Sequence, residues 1–168
     1  SLFLGAAVAY AGLALVLDPS AYHSLFSHQL HEVPMQEAGN WELGGLGSLL
    51  LHNLYVLSFF FLVAVAFRQG GVMMTVAWNA SVWGATAGVL SRTLIADGGI
   101  AWAEATGWVV AVLAPHLVAE AAAYTLAGFA GVFLSKGMLR YTLEGRGPWL
   151  SLLRTVAAML ATAVGLIA

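Results

Sequence analysis

The sequence has no cysteine. That excludes disulfides, thiolate metal sites and cysteine nucleophiles, and it leaves the redox compartment open. Charge is almost as scarce. Asp, Glu, Lys and Arg make up 8% of the chain, about a third of the roughly 25% expected of a soluble domain. A formal net charge of −2 gives no basic surplus with which to hold nucleic acid. The metalloprotease pattern H-E-x-x-H is missing, as is a Gly-rich phosphate loop. No nucleophile has an evident base beside it, and there is no nucleotide-binding domain. Transport driven by ATP would need a second protein.

What fills the chain is apolar: 61% of its 168 residues are hydrophobic. The runs are long and continuous, where the strands of a membrane β-barrel would alternate apolar and polar residues. The expected fold is an all-α integral membrane protein. It forms a single transmembrane helical domain over 1–168, a bundle of about five transmembrane helices at roughly 20 residues per crossing.

The first span is read at 2–17, closing at Asp18-Pro19. Ser1 opens inside an apolar segment and Ala168 ends inside another, so residues are expected to be missing at both ends. The opening lacks the basic start of a signal peptide. Residues 18–44 form the one sizeable loop, with three histidines, four acids and no Lys or Arg. Tyr22, Leu25, Phe26 and Leu30 are spaced for a short amphipathic helix lying in the interface.

Further spans are read at 46–67, ended by Arg68-Gln-Gly-Gly, and at 72–94, ended by Asp97-Gly-Gly. The fourth hydrophobic region, 102–134, is too long for one upright helix. Pro115 divides it, so it is a kinked span or a re-entrant piece followed by a crossing. The last span, 149–168, starts after Gly147-Pro148. Arg68, Lys136, Arg140 and Arg146 then share a side, which the positive-inside rule makes cytoplasmic. In a multi-pass cell-membrane protein, loops 68–71 and 135–147 lie inside and loop 18–44 outside. Arg92 is the one basic residue that this topology puts near the outer face. Trp41, Trp102 and Trp149 suit interface anchors.

Polar residues inside the spans are the candidate functional cluster: His52, Asn53, Asn79, His116 and Glu120. In VLAPHLVAEAAAYTLAGFAG, His116, Glu120, Tyr124 and Gly128 step by four along one ridge. Ala119, Ala123, Ala127 and Gly131 make a second ridge of small residues. The third span carries Gly84 and Gly88 as G-x-x-x-G. Small ridges permit close helix approach, so the third and fourth spans are expected to pack together with the polar ridge at their seam. Ridges not used internally could serve a homo-oligomer.

Such a cluster can hydrogen-bond helices together or mark an ion route, proton relay or metal site. His116 and Glu120, with His52 as a third donor, could hold zinc, no other cofactor being indicated. In the loop, His28, His31 and Glu32 fall at i, i+3 and i+4 and could also take zinc or sense pH. The blander reading is an interfacial helix with its histidines on the wet side.

Two segments resemble a known family. LLHNLYVLSFFFLVAVAFRQGGVMMTVAWNASVWGATAG is similar to the central region of the stage II sporulation protein M family. Pro115, His116, Glu120, Ala127 and Gly131 match that family's most distinctive motif, with Leu117 standing where it has Gly. The resemblance covers about 46–137. It implies a small polytopic membrane protein that acts as a non-catalytic component or anchor of a membrane complex. Its partners would be the lipid bilayer and other membrane or envelope proteins, not nucleic acid. The alternatives are an intramembrane metal-dependent hydrolase or peptidase, in which Glu120 is a ligand or activates a metal-bound water, and a permease or ion- or proton-conducting subunit.

Overall fold

A computed structural model describes residues 2–31, 43–141 and 146–168. Seven helices occur among them: α1 (Leu2–Val16), α2 (Pro19–Leu25), α3 (Ser27–His31), α4 (Leu43–Phe67), α5 (Gln69–Gly98), α6 (Trp102–Tyr141) and α7 (Arg146–Ile167). No strand occurs among the described residues. Among the described residues three stretches are long and apolar enough to cross a membrane: Gly47–Phe67, Trp102–Arg140 and Trp149–Ile167. Helix α1 holds the shorter apolar run Phe3–Val16.

The chain divides into two compact units, one of residues 1–39 and 76–117, the other of 40–75 and 118–168. In the first unit α1 and α5 run parallel. A methyl group on Gly84 would fall on the Ala7 carbonyl oxygen, and one on Gly88 would fall on Ala14, a turn or two further along both helices. The G-x-x-x-G of α5 therefore meets α1, against the expectation that it packs on the fourth span. Spacing shows that a face is small. It does not show which of several small faces, here Ala7, Ala11 and Ala14, will meet it.

Between those helices the chain turns at Asp18. Its carboxylate caps α2 by accepting from the Ser20 N–H at 3.1 Å and from the Ser20 hydroxyl, and Pro19 fills the first helical turn, where no N–H is needed. Tyr22 and Phe26 are buried in a cluster with Ala14 and Ala85. Two of the four apolar residues expected to lie in the bilayer interface thus pack inside the protein, while Leu25 stays exposed.

In the second unit α4 and α6 run parallel. Tyr124 packs edge-on against Phe60 at 5.3 Å between centroids, and Gly131, further along, lies against Phe61 and Ala64. Helix α7 returns antiparallel: Leu152 lies on Gly137, and Ala163 joins Leu57, Phe60, Ala123, Tyr124 and Ala127 in the core. Of the small ridge Ala119, Ala123, Ala127 and Gly131, the last three are buried, with α4 as their partner where the third span was expected.

The loop expected at 68–71 shrinks to one residue. Arg68 has φ of 54°, a left-handed conformation that costs a residue with a Cβ roughly 1–2 kcal/mol. Its N–H closes on the Ala64 carbonyl at 2.8 Å, and α5 starts at once. Gly71 is then helical, so close to α4 that a Cβ would stand 2.6 Å from the Val63 carbonyl oxygen. The turn after Asp97 forms as its glycines suggest, on Gly99 at φ 61°. Pro115 lies within the unbroken α6, so the re-entrant alternative, which needs a break there, does not occur.

Candidate functional site

A buried polar group in the second unit joins α4 to α6. Asn53, Leu57, Phe60 and Ala64 follow at i, i+4, i+7 and i+11, one helical face, and all four are buried. Opposite stand Glu120, Ala123, Tyr124 and Ala127. The Tyr124 hydroxyl donates to Asn53 Oδ1 at 3.3 Å and is also hydrogen-bonded to the Glu120 carboxyl. Exposure is 3% for Asn53, 1% for Tyr124 and 9% for Glu120, so water does not compete for these bonds.

The chemistry of this trio is constrained by proton count. A phenol has one proton and faces two acceptors. Both contacts are good if the Asn53 amide turns its NH2 to the phenol oxygen while the phenol donates to Glu120. They are also good if Glu120 carries a proton and donates to the phenol. Either arrangement closes the chain Asn53–Tyr124–Glu120. In both arrangements the phenol oxygen and one oxygen of the Glu120 carboxyl are engaged, while the buried Glu120 Oε2 has no hydrogen-bond partner.

The sequence singled out five polar residues, and their surroundings differ. Asn53 and Glu120 meet through Tyr124, which the sequence placed on the same ridge as Glu120 without giving it a role. His52, beside Asn53, is half-buried. In the first unit Asn79 is buried at 8% exposure. His116 is on the exposed side of α6, its ring edge-on to Trp83 at 5.6 Å. One turn of helix thus separates an exposed imidazole from a buried carboxyl.

Helix α5 shows how a helix of lower hydropathy keeps its polar atoms satisfied. The hydroxyls of Thr75, Ser81, Thr86 and Ser91 are buried, and each donates to a carbonyl of its own helix, from 2.7 to 3.0 Å. Such back-bonding leaves the helix surface apolar in effect.

Arg92 also finds a place in the first unit. It donates to the Ala14 carbonyl at 2.9 Å, supplying the C-terminus of α1, which has no basic residue in its last turn, with a cation. Asp18 lies close enough to feel the same charge. The two Ser20 bonds, and then Arg92, hold its carboxyl below the usual carboxylate range. The signal available in the sequence was a lone Arg near the acidic end, one helix away from an uncapped terminus.

Among the described residues no three His, Asp or Glu side chains are grouped closely enough to hold a metal ion. His28 is exposed on the five-residue α3, and Glu32 lies outside the described residues. A groove of about 470 Å³ in the first unit, between Leu90 and Leu94 on α5 and Val109 and Leu113 on α6, has an apolar lining. It offers a ligand no group to orient it. No protein-family model, curated protein or solved structure matches the chain.

Proposed function

We propose that this chain is a multi-pass membrane protein of five crossings, α1, α4, α5, α6 and α7, that serves as a non-catalytic component or anchor of a membrane complex. The observation that carries this reading is the Asn53–Tyr124–Glu120 chain. Buried Asn53, Tyr124 and Glu120 of the second unit join α4 to α6, and the buried hydroxyls of α5 bond their own backbone.

Several features support the membrane setting. Leu51, Tyr55, Phe59 and Leu62 form an exposed apolar stripe along α4, and Val112, Val118, Phe129 and Phe133 are exposed on α6. In water such surface would drive aggregation; in lipid it is the outer face of a bundle. Helix directions inside each unit fit alternate crossings: α1 parallel to α5 in one, α4 parallel to α6 and opposed to α7 in the other. Acidic Asp18, Asp97 and Glu104 follow α1, end α5 and open α6. With basic Arg68, Lys136 and Arg140 at the opposite helix ends, this suits an outer 18–44 loop and a cytoplasmic side at 68–71 and 135–147. The likeness of Pro115, His116, Glu120, Ala127 and Gly131 to the stage II sporulation protein M motif points to the same role.

The test is capture from native membranes in mild detergent, with in-membrane crosslinking beforehand. A specific protein partner should co-purify, and His116→Ala should leave it bound. A protein that purifies alone, and that conducts protons or ions when reconstituted unless Glu120 is changed to Gln, would replace this reading with the permease.

A further inference from the structure

Five of the six Lys and Arg residues of the chain lie in the second unit: Arg68, Lys136, Arg140, Arg146 and Arg154. Parallel packing of α4 and α6 carries the first two to the same end. Gly131 sits on Ala64, so Arg68 is one turn beyond that contact and Lys136 a turn and a half. Leu152 lies on Gly137, which sets Arg154, two residues further along the returning α7, near the level of Lys136. All three side chains are exposed. Of the acids of this unit, Glu120 is buried roughly 24 Å back along α6 at 1.5 Å per residue, and Glu42 and Glu144 lie outside the described residues.

Apolar side chains border these cations. Phe67, Met138, Leu139, Leu150 and Leu153 are all exposed at this end. Cations standing over exposed Leu, Met and Phe match the layered chemistry of a lipid surface, phosphate above acyl chain. A soluble anion would have no use for the apolar half. Arg68 adds an independent sign. It occupies a left-handed position that favours glycine, so an exposed Arg there has no advantage for the backbone.

We propose that this end of the second unit is a binding surface for anionic phospholipid headgroups, with Arg68, Lys136 and Arg154 supplying the charge. The inference rests on the membrane reading above. It goes beyond a rule of orientation, because it requires selection among lipids by a defined set of side chains.

The test reconstitutes the full chain in phosphatidylcholine bilayers and measures, by electron spin resonance, the relative association of spin-labelled phosphatidylglycerol and spin-labelled phosphatidylcholine. The anionic lipid should be held several-fold more strongly. Each of Arg68→Gly, Lys136→Gln and Arg154→Gln should lower that preference by up to roughly fivefold, and added inorganic phosphate should not abolish it. Arg68→Gly is the informative variant, since it should keep or raise thermal stability while losing lipid preference. Equal association of the two lipids, or a preference unchanged in the triple variant, overturns the proposal. Loss of preference to modest inorganic phosphate reassigns the surface to a soluble anion and overturns it too. A protein that fails to float with the vesicles overturns this proposal and the membrane reading together.

Discussion

The Tyr22 hydroxyl donates a 2.8 Å hydrogen bond to the Ala85 carbonyl, across 63 residues of sequence. Tyr22 comes from the short α2, and Ala85 lies between the two glycines on which α1 packs. One bond therefore ties the loop after α1 to the α1–α5 contact. Tyr22→Phe removes it with little change in volume and should cost about 1 kcal/mol. Thermal unfolding in detergent, followed by tryptophan fluorescence, would register the loss; an unchanged midpoint would mean the bond contributes nothing.

The same hydroxyl predicts an alkaline limit. Burial pushes the Tyr22 phenol up to about 12, with Arg92 opposing, against about 10 in an unfolded chain. The folded state holds its proton more tightly, so this stability is fully present below pH 10 and is lost as pH rises toward 12. In Tyr22→Phe the fall over that window should be shallower than in the parent. Identical pH profiles for the two proteins would remove Tyr22 from the account.

A double-mutant cycle tests the trio. Tyr124→Phe leaves Asn53 and Glu120 buried with a partner lost, and should cost about 1–3 kcal/mol. Glu120→Gln keeps an acceptor for the phenol and should be milder, whereas Glu120→Leu should approach Tyr124→Phe. The coupling of Asn53→Leu with Tyr124→Phe should lie near the 0.6–1.7 kcal/mol measured between helices in bilayers. Strict additivity would show that the contact is incidental.

Glycines separate by their surroundings. A Cβ at Gly131 would stand 2.5 Å from the Phe61 carbonyl oxygen, whereas Gly12 has nothing within 4 Å. Gly131→Ala should destabilise by about 1–3 kcal/mol, because backbone has to move. Gly12→Ala should be neutral or stabilising by up to about 1 kcal/mol. Equal effects would show that α4 and α6 do not approach closely in the bilayer.

The elements were legible from hydropathy and punctuation: Asp18-Pro19, Asp97-Gly-Gly and the apolar runs mark where helices begin and end. Asn53 and Glu120 stood out because a polar atom inside an apolar run must find a partner. Pairing was not legible. The small face Gly84–Gly88 could meet any helix with small residues at matching spacing, and α1 offered them in Ala7, Ala11 and Ala14. His116 drew attention by the same rule as Glu120, but its side chain is exposed and lies edge-on to Trp83. Arg68 was read as part of a loop, since a one-residue helix corner built on a non-glycine leaves no compositional trace.

Each compact unit is stitched from two separate stretches of chain, and this has a consequence for synthesis. When α1 leaves the ribosome its small-residue face has no mate, because Gly84 and Gly88 are made only after α4 and half of α5. At about 5–20 residues per second, the shortest apolar helix of the chain waits for several seconds without the neighbour that shields it. During that interval α1 depends on the insertion machinery, and mutations that weaken its hold on α5 should show first as failed biogenesis, before any loss of stability in the finished protein.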